Sequence, residues 1–151
     1  MPGYGVPATG GRLLPFSYAE QRLTGARNYW LSTVGLDGAP HLMVLWAVWL
    51  NGTVQFSTGS ESRKTRNLHA DPRCTVGAQC LNDAELVVVE GRAARVDEAD
   101  LPAFAAAVKA KYGFDMGGML DQPVFAVTPR KIIALDETFS AHATRFTFPL
   151  T

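Results

Sequence analysis

The chain has 151 residues, enough for one domain of ordinary size. With 47% hydrophobic and 19% charged residues it is not a generally disordered chain. Fourteen basic side chains balance fourteen acidic ones, which argues against a nucleic-acid grip or an electrostatic membrane docker, since both need a basic surplus.

Residues 1–15 hold seven Gly or Pro and no apolar period, and read as a flexible arm; residues 16–151 read as one folded domain. Ser17-Tyr18-Ala19-Glu20 has the capping-box pattern and predicts a short helix over residues 18–26. Residues 27–36 are rich in aromatic and β-branched side chains and predict a strand. Asp37-Gly38 is a hairpin turn, residues 40–50 are the second strand, Asn51-Gly52 is another hairpin turn, and residues 53–57 are the third strand. A polar helix starts at Ser60 or Glu61 and ends near Asp71-Pro72. Residues 74–79 and 85–96 are further strands, the second with Gly91 as the site of a bulge. Asp97 or Asp100 caps the next helix, whose Leu101, Phe104, Val108 and Tyr112 share a face. Lys109 and Lys111 suit its C-terminal end, and Gly113 stops it. Residues 124–127, 132–136 and 145–148 complete the strands. Successive hairpins with a few helices predict a mainly β (α+β) fold, a small antiparallel barrel.

The apolar run over residues 42–50 is well short of the ~18 residues of a spanning helix. No charged leader with an apolar stretch opens the chain, so no signal peptide is expected. Cys74 and Cys80 fit neither a disulfide framework nor a zinc spacing, and read as reduced cysteines of a cytoplasmic protein. In the strand over residues 40–50, Leu42, Val44, Trp46 and Val48 point one way and Met43, Leu45, Ala47 and Trp49 the other. Two apolar faces need two covers. The barrel interior is one; the other is a second subunit, a bound ligand, both, or the domain's own helices.

The strongest site signal is Ser62-Arg63-Lys64, just inside a helix that follows Ser57-Thr58-Gly59. A helix start offers free N–H groups and positive partial charge, so cations there oppose the macrodipole and are better tolerated with an anion between them. The alternative is a solvated basic face that includes Arg66. His41, His69 and His142 have no metal spacing, and no nucleophile elbow or Walker loop is present, so no metal is expected and no catalytic residue is assigned. Glu85 and Asp136 fit no catalytic pairing. A chain without a catalytic constellation either binds without turnover or borrows its reactivity from a cofactor. Trp30, Trp46, Trp49 and Phe56 are candidates to wall a planar ring, with ordinary core as the alternative.

Several segments, in order, resemble the pyridoxamine-phosphate-oxidase-like split β-barrel flavoproteins. They are Asp37-Gly38-x-Pro40-His41, Trp46-x-Val48-Trp49, Phe56-Ser57-Thr58-Gly59, Ser62-Arg63-Lys64-x-Arg66-Asn67-Leu68, Asp71-Pro72-Arg73, Val89-Glu90-Gly91-Arg92-Ala93 and Ala143-Thr144-Arg145-Phe146-x-Phe148. The Ser-x-Lys element is similar to the branch that uses the deazaflavin coenzyme F420, with Phe146 where that branch commonly has Trp. The resemblance implies an FMN-binding-type split barrel that dimerises with itself and holds its cofactor at the subunit interface. It implies that Arg63 and Lys64, with Thr58, hold the cofactor phosphate, that Ser57 beside them also binds the cofactor, and that Ser62 and Asn67 support that loop. Backbone groups of Val44, Leu45 and Trp46 would line the ring's polar edge, and Gln79 and Arg145 of the partner subunit would close the site. The implied activity is hydride transfer from reduced F420 to a conjugated small-molecule acceptor. FMN in the same site is the alternative, as is a non-catalytic carrier of flavin, haem or pyridoxal phosphate.

Overall fold

A computed structural model describes residues 12–80, 84–117, 121–138 and 142–149. In chain order its elements are α1 (Phe16–Gly25), β1 (Tyr29–Val34), β2 (Pro40–Leu45), β3 (Val48–Leu50), β4 (Thr53–Ser57), α2 (Arg63–Ala70), β5 (Arg73–Gln79), β6 (Leu86–Arg95), α3 (Leu101–Tyr112), β7 (Val124–Leu135) and β8 (Thr144–Thr147). A single 3-10 turn, Glu98–Asp100, leads into α3.

All strand pairs are antiparallel. The order across the sheet is β2-β1-β5-β6-β7-β4-β3, with β8 also on β7. The two edge strands, β2 and β3, are separated in sequence by only Trp46 and Ala47. A chain advances at most ~3.6 Å per residue, so the two edges lie within roughly 11 Å of each other there. The sheet must therefore curl back on itself, which makes it a split barrel with three helices. The first half of β7 pairs with β4 and the second half with β8, so that side of the barrel is divided.

Alternation decides which residues fill the barrel. Tyr29, Leu31 and Thr33 of β1, Cys74, Val76 and Ala78 of β5, and Val87 and Val89 of β6 are buried; their neighbours face outward. Helix α1 closes one end through Ala19 and Leu23. A second, smaller core joins β3, α3 and the start of β7 through Val48, Phe104, Val108, Met116 and Val124.

Several expectations hold residue for residue. β4 has the predicted bounds. Asn51 and Gly52 both have positive φ, 51° and 73°, the geometry a tight hairpin needs and one that Asn and Gly tolerate best. Gly113 ends α3 in the left-handed region. The ladder shifts register between Glu90 and Gly91, where a Cβ on Gly91 would lie 2.4 Å from the Thr128 carbonyl oxygen. A side chain does not fit at that approach.

Four expectations are corrected. Residues 40–50 are two strands on opposite edges, because the Tyr112 hydroxyl takes the Ala47 backbone out of the ladder, accepting from its N–H at 3.1 Å and donating to its carbonyl at 2.8 Å. Residues 124–135 are one strand rather than two: Pro129 sits opposite Gly91 at the bulge, where the ladder is already interrupted. Helix α1 starts at Phe16 with Pro15 at its cap and no side-chain cap bond, so the Ser17 capping box is not made. Helix α2 starts at Arg63, two to three residues later than predicted, with Ser62 as its cap. Of the predicted arm, residues 1–11 lie outside the described residues; the Leu14 N–H donates to Thr144 Oγ1 at 2.8 Å, tying the end of that segment to β8.

Candidate functional site

The start of α2 is built by a short run of hydroxyls. Ser62 Oγ accepts from the Thr65 N–H at 3.2 Å, lies 3.0 Å from Thr58 Oγ1 and 3.1 Å from Thr65 Oγ1, and Thr65 Oγ1 donates to the Gly59 carbonyl at 2.8 Å. The preceding loop is pinned to the approach of β7 through Thr58 N–H to the Pro123 carbonyl and Ser60 N–H to Gln122 Oε1, both 3.1 Å. Deeper on the helix, Asn67 Nδ2 donates to Thr33 Oγ1 of β1 at 2.9 Å. These bonds fix where Arg63 and Lys64 begin.

Neither of those two cations has a carboxylate partner among the described residues, and the first turn holds no acidic side chain. Their backbone N–H groups also find no acceptor there. Two positive side chains and two free donors belong to one helix start. That set suits the oxygens of a phosphate: the guanidinium offers a two-pronged fork and the ammonium a point charge. Their field is felt nearby. Partial burial, then the charges of Arg63 and Lys64, hold the His41 imidazole below its ordinary pKa.

Ser57, Thr58 and Gly59 also line a cleft of about 560 Å³, with Trp46 on one side and Phe104, Val108, Phe114 and Met116 on another. Trp46 stacks on Tyr112 with ring centroids 4.6 Å apart and planes 7° apart; Phe114 meets it edge-on at 6.3 Å. The Lys111 ammonium donates to Tyr29 Oη at 2.7 Å and to the Ala47 carbonyl at 3.1 Å, so the end of α3 holds this wall in place. Burial, then Arg27, lowers the Lys111 pKa to about 8. A cavity of about 580 Å³ on the outer sheet face has no aromatic wall; of its lining cations, Arg73 and Lys131 are paired with Asp71 at 2.5 Å and Glu90 at 2.6 Å, while Arg92 and Arg130 make no ion pair among the described residues. The chemistry points to the Trp46 cleft.

The predicted site residues fall into three groups. Ser57, Thr58, Ser62, Arg63, Lys64 and Asn67 come together around the start of α2. Val44 and Leu45 lie on β2, an edge strand whose every second backbone pair points away from β1, and Trp46 follows directly. Gln79 and Arg145 lie apart. Gln79 is five residues along β5 from Cys74, the partner of Thr33, about 17 Å at strand rise. Arg145 is on β8, five strands from β2 in the ladder order.

The aromatic set predicted as a ring wall is dispersed. Phe56 is fully buried in the core, Trp49 packs against that core, and Trp30 stands on the outer face; of the four only Trp46 lines the cleft. Phe146, whose backbone pairs with Ile132, packs its ring on Phe16 at 5.3 Å. Glu85 pairs with Arg22 and Asp136 with His142. Both cysteines are free, and burial pushes the Cys74 thiol up to about 12. Among the described residues no cluster of side chains could hold a metal, and no helix is long and apolar enough to cross a membrane. Two contributors were missed in the sequence: Tyr112, legible there only as part of an apolar face, and Lys111, legible only as a helix-end charge.

The comparisons with known proteins agree with this architecture. No curated protein matches the sequence. Among solved structures, a conserved hypothetical protein from Mycobacterium tuberculosis superposes with a TM-score of 0.75 at 22% identity, over 85% of this chain and 91% of that one. A structure described as an F420 reductase superposes with a TM-score of 0.64 at 21% identity, over 75% of this chain and 94% of that one. A haem-binding protein from Mycobacterium smegmatis gives 0.68 at 20% identity, over 90% of this chain and 60% of that one. At these identities the likeness is one of fold. The family model for pyridoxamine 5'-phosphate oxidase matches residues 18–136, from the first helix to the end of the long strand β7, and the chain belongs to that family.

Proposed function

We propose that the protein is a cytoplasmic, homodimeric oxidoreductase that binds coenzyme F420 by its phosphate at the start of α2. It passes a hydride to a conjugated small-molecule acceptor in the Trp46 cleft. One observation carries the reading: Arg63 and Lys64 face no carboxylate at a helix start that opens, through Ser57 and Thr58, into an aromatic-walled cleft. In this reading Arg63, Lys64, Ser57 and Thr58 hold the phosphate, while Ser62 and Asn67 keep the loop in shape. The outward backbone groups of Val44, Leu45 and Trp46 meet the ring's polar edge. A reduced deazaflavin supplies the hydride when bound. The chain's own residues bind, orient and exclude water. The F420 reductase among the structural neighbours supports the deazaflavin; FMN is the alternative, because the clamp recognises phosphate and not the ring.

A second copy of the chain supplies the rest of the site. Trp30, Leu42 and Val44 share the outer face of β1 and β2 with exposures of 46%, 58% and 44%. Gln79 and Arg145 lie on the same outer face, and in this reading they close the partner's site. An obligate interface of this kind buries a total surface on the order of 2,000 Å². Sedimentation at micromolar concentration is expected to show dimer only; a well-folded monomer would remove this part of the reading.

Titration of the purified protein with F420, FMN and haem tests the cofactor by its change in absorption. Tightest binding of F420, with loss of the reduced form on adding an α,β-unsaturated carbonyl compound, is the expected result. Tightest binding of FMN moves the assignment to the alternative, and binding without turnover makes the protein a carrier. Preference for haem would overturn the phosphate-based reading.

A further inference from the structure

His41 belongs to the Asp37-Gly38-x-Pro40-His41 segment but has no part in the site as described so far. It pairs with Thr33 across the β1–β2 ladder, on the inward side of an edge strand. Its Nδ1 lies 3.5 Å from Thr33 Oγ1, the same oxygen that accepts from Asn67 Nδ2 of α2 at 2.9 Å. The ring is thus tied through one hydroxyl to the helix that bears Arg63 and Lys64. Arg63 itself reaches back over the β1–β2 hairpin: its Nη2 is 3.5 Å from where a Cβ on Gly35 would stand.

The charged groups facing the ring are Arg63 and Lys64. Thr33 and Asn67 are neutral, and Asp37 in the intervening turn is held by the Ala39 N–H at 3.1 Å. The two charges that act on the imidazole are therefore both positive, which favours its neutral form. A dianion at the start of α2 would offset that field. Thr33 Oγ1 has two lone pairs, so it can accept from Asn67 and from a protonated Nδ1 together. The Thr33 hydroxyl hydrogen then turns away from Nδ1, and Nε2 carries the second proton.

We propose that His41 is a third, proton-dependent cation of the anion site, neutral while the site is empty and charged when a phosphate or sulfate group lies against Arg63 and Lys64. This rests on the phosphate reading above. Anion binding then takes up a proton near neutral pH, and the site holds its anion more tightly as the pH falls.

Inorganic sulfate is the probe, because it stays doubly charged through this pH range and phosphate does not. The titration of each histidine is followed by NMR in wild-type protein, free and sulfate-saturated. Sulfate affinity is measured from pH 5.5 to pH 8 for wild type, His41→Gln and Lys64→Ala. The His41 signals are expected to titrate at clearly higher pH with sulfate than without it. Wild type should bind sulfate about three- to tenfold more tightly at pH 5.5 than at pH 8, a dependence that His41→Gln removes. If sulfate binds and Lys64→Ala weakens it, yet the His41 titration does not move, the inference fails and the phosphate reading stands. If wild type binds no sulfate at any pH, both fail.

Discussion

Two helix ends in this molecule carry paired cations, and they behave in opposite ways. At the end of α3, Lys109 pairs with Asp115 at 3.1 Å, and Lys111 donates to Tyr29 and to the Ala47 carbonyl. Both lysines sit where the helix dipole favours positive charge. At the start of α2, Arg63 and Lys64 sit where the dipole disfavours it and have no carboxylate against them. The first arrangement is complete within the chain. The second is left open within the chain, and in the proposed reading a ligand's phosphate completes it.

Substitutions at the two ends sharpen that contrast. Lys64→Ala is expected to weaken cofactor binding by roughly 10- to 100-fold, as the loss of one charge-assisted bond would. Arg63→Lys should weaken it less, because a point charge keeps the attraction and loses the fork. Neither should change chemical-denaturation stability by more than about 0.5 kcal/mol, since both act on a ligand rather than on the fold. A large stability loss in either variant would make α2 a scaffold like α3.

Tyr112→Phe reverses the pattern. It leaves the Ala47 N–H without its acceptor, which costs about 1–3 kcal/mol in an unfolding titration. If Tyr112→Phe leaves stability untouched, the clamp that separates β2 from β3 lies elsewhere.

Lys111 predicts a pH dependence. Its folded pKa, about 8, lies below its unfolded value, so between pH 8 and the ordinary lysine range the unfolded chain binds more protons. Stability contributed at this position therefore rises with pH across that window and is constant below it. Unfolding titrations at pH 7.5 and pH 9.5 should show wild type gaining on Lys111→Met at the higher pH; an unchanged difference would mean that the ammonium is not desolvated. The smallest effect belongs to Lys109→Ala, whose exposed ion pair should change stability by no more than about 0.5 kcal/mol in the same assay.

Local chemistry made much of the fold readable in advance. Asn51-Gly52 and Gly113 demand positive φ, and Gly91 marks the bulge that it makes. What was not readable depends on residues far apart. The break after Leu45 is imposed by a hydroxyl 65 residues away, and nothing in the apolar run over residues 40–50 announces it. Continuity through Pro129 depends on the bulge in the neighbouring strand. The site divides the same way. Arg63 and Lys64 stand out because charge at a helix start is a local contradiction. The Asn67–Thr33–His41 link joins residues whose side chains are unremarkable until the helix packs on the sheet. The aromatic residues were equally visible, but only packing sends Phe56 to the core and Trp46 to the cleft.

The central claim is that the start of α2 recognises a phosphate. The most direct test is to titrate wild type and Lys64→Ala with FMN and with riboflavin, which has the same ring and no phosphate. The account predicts that the substitution weakens FMN by at least about tenfold while riboflavin binds both proteins alike. Equal weakening of both ligands would contradict it, making Lys64 a support for the pocket's shape rather than a phosphate ligand.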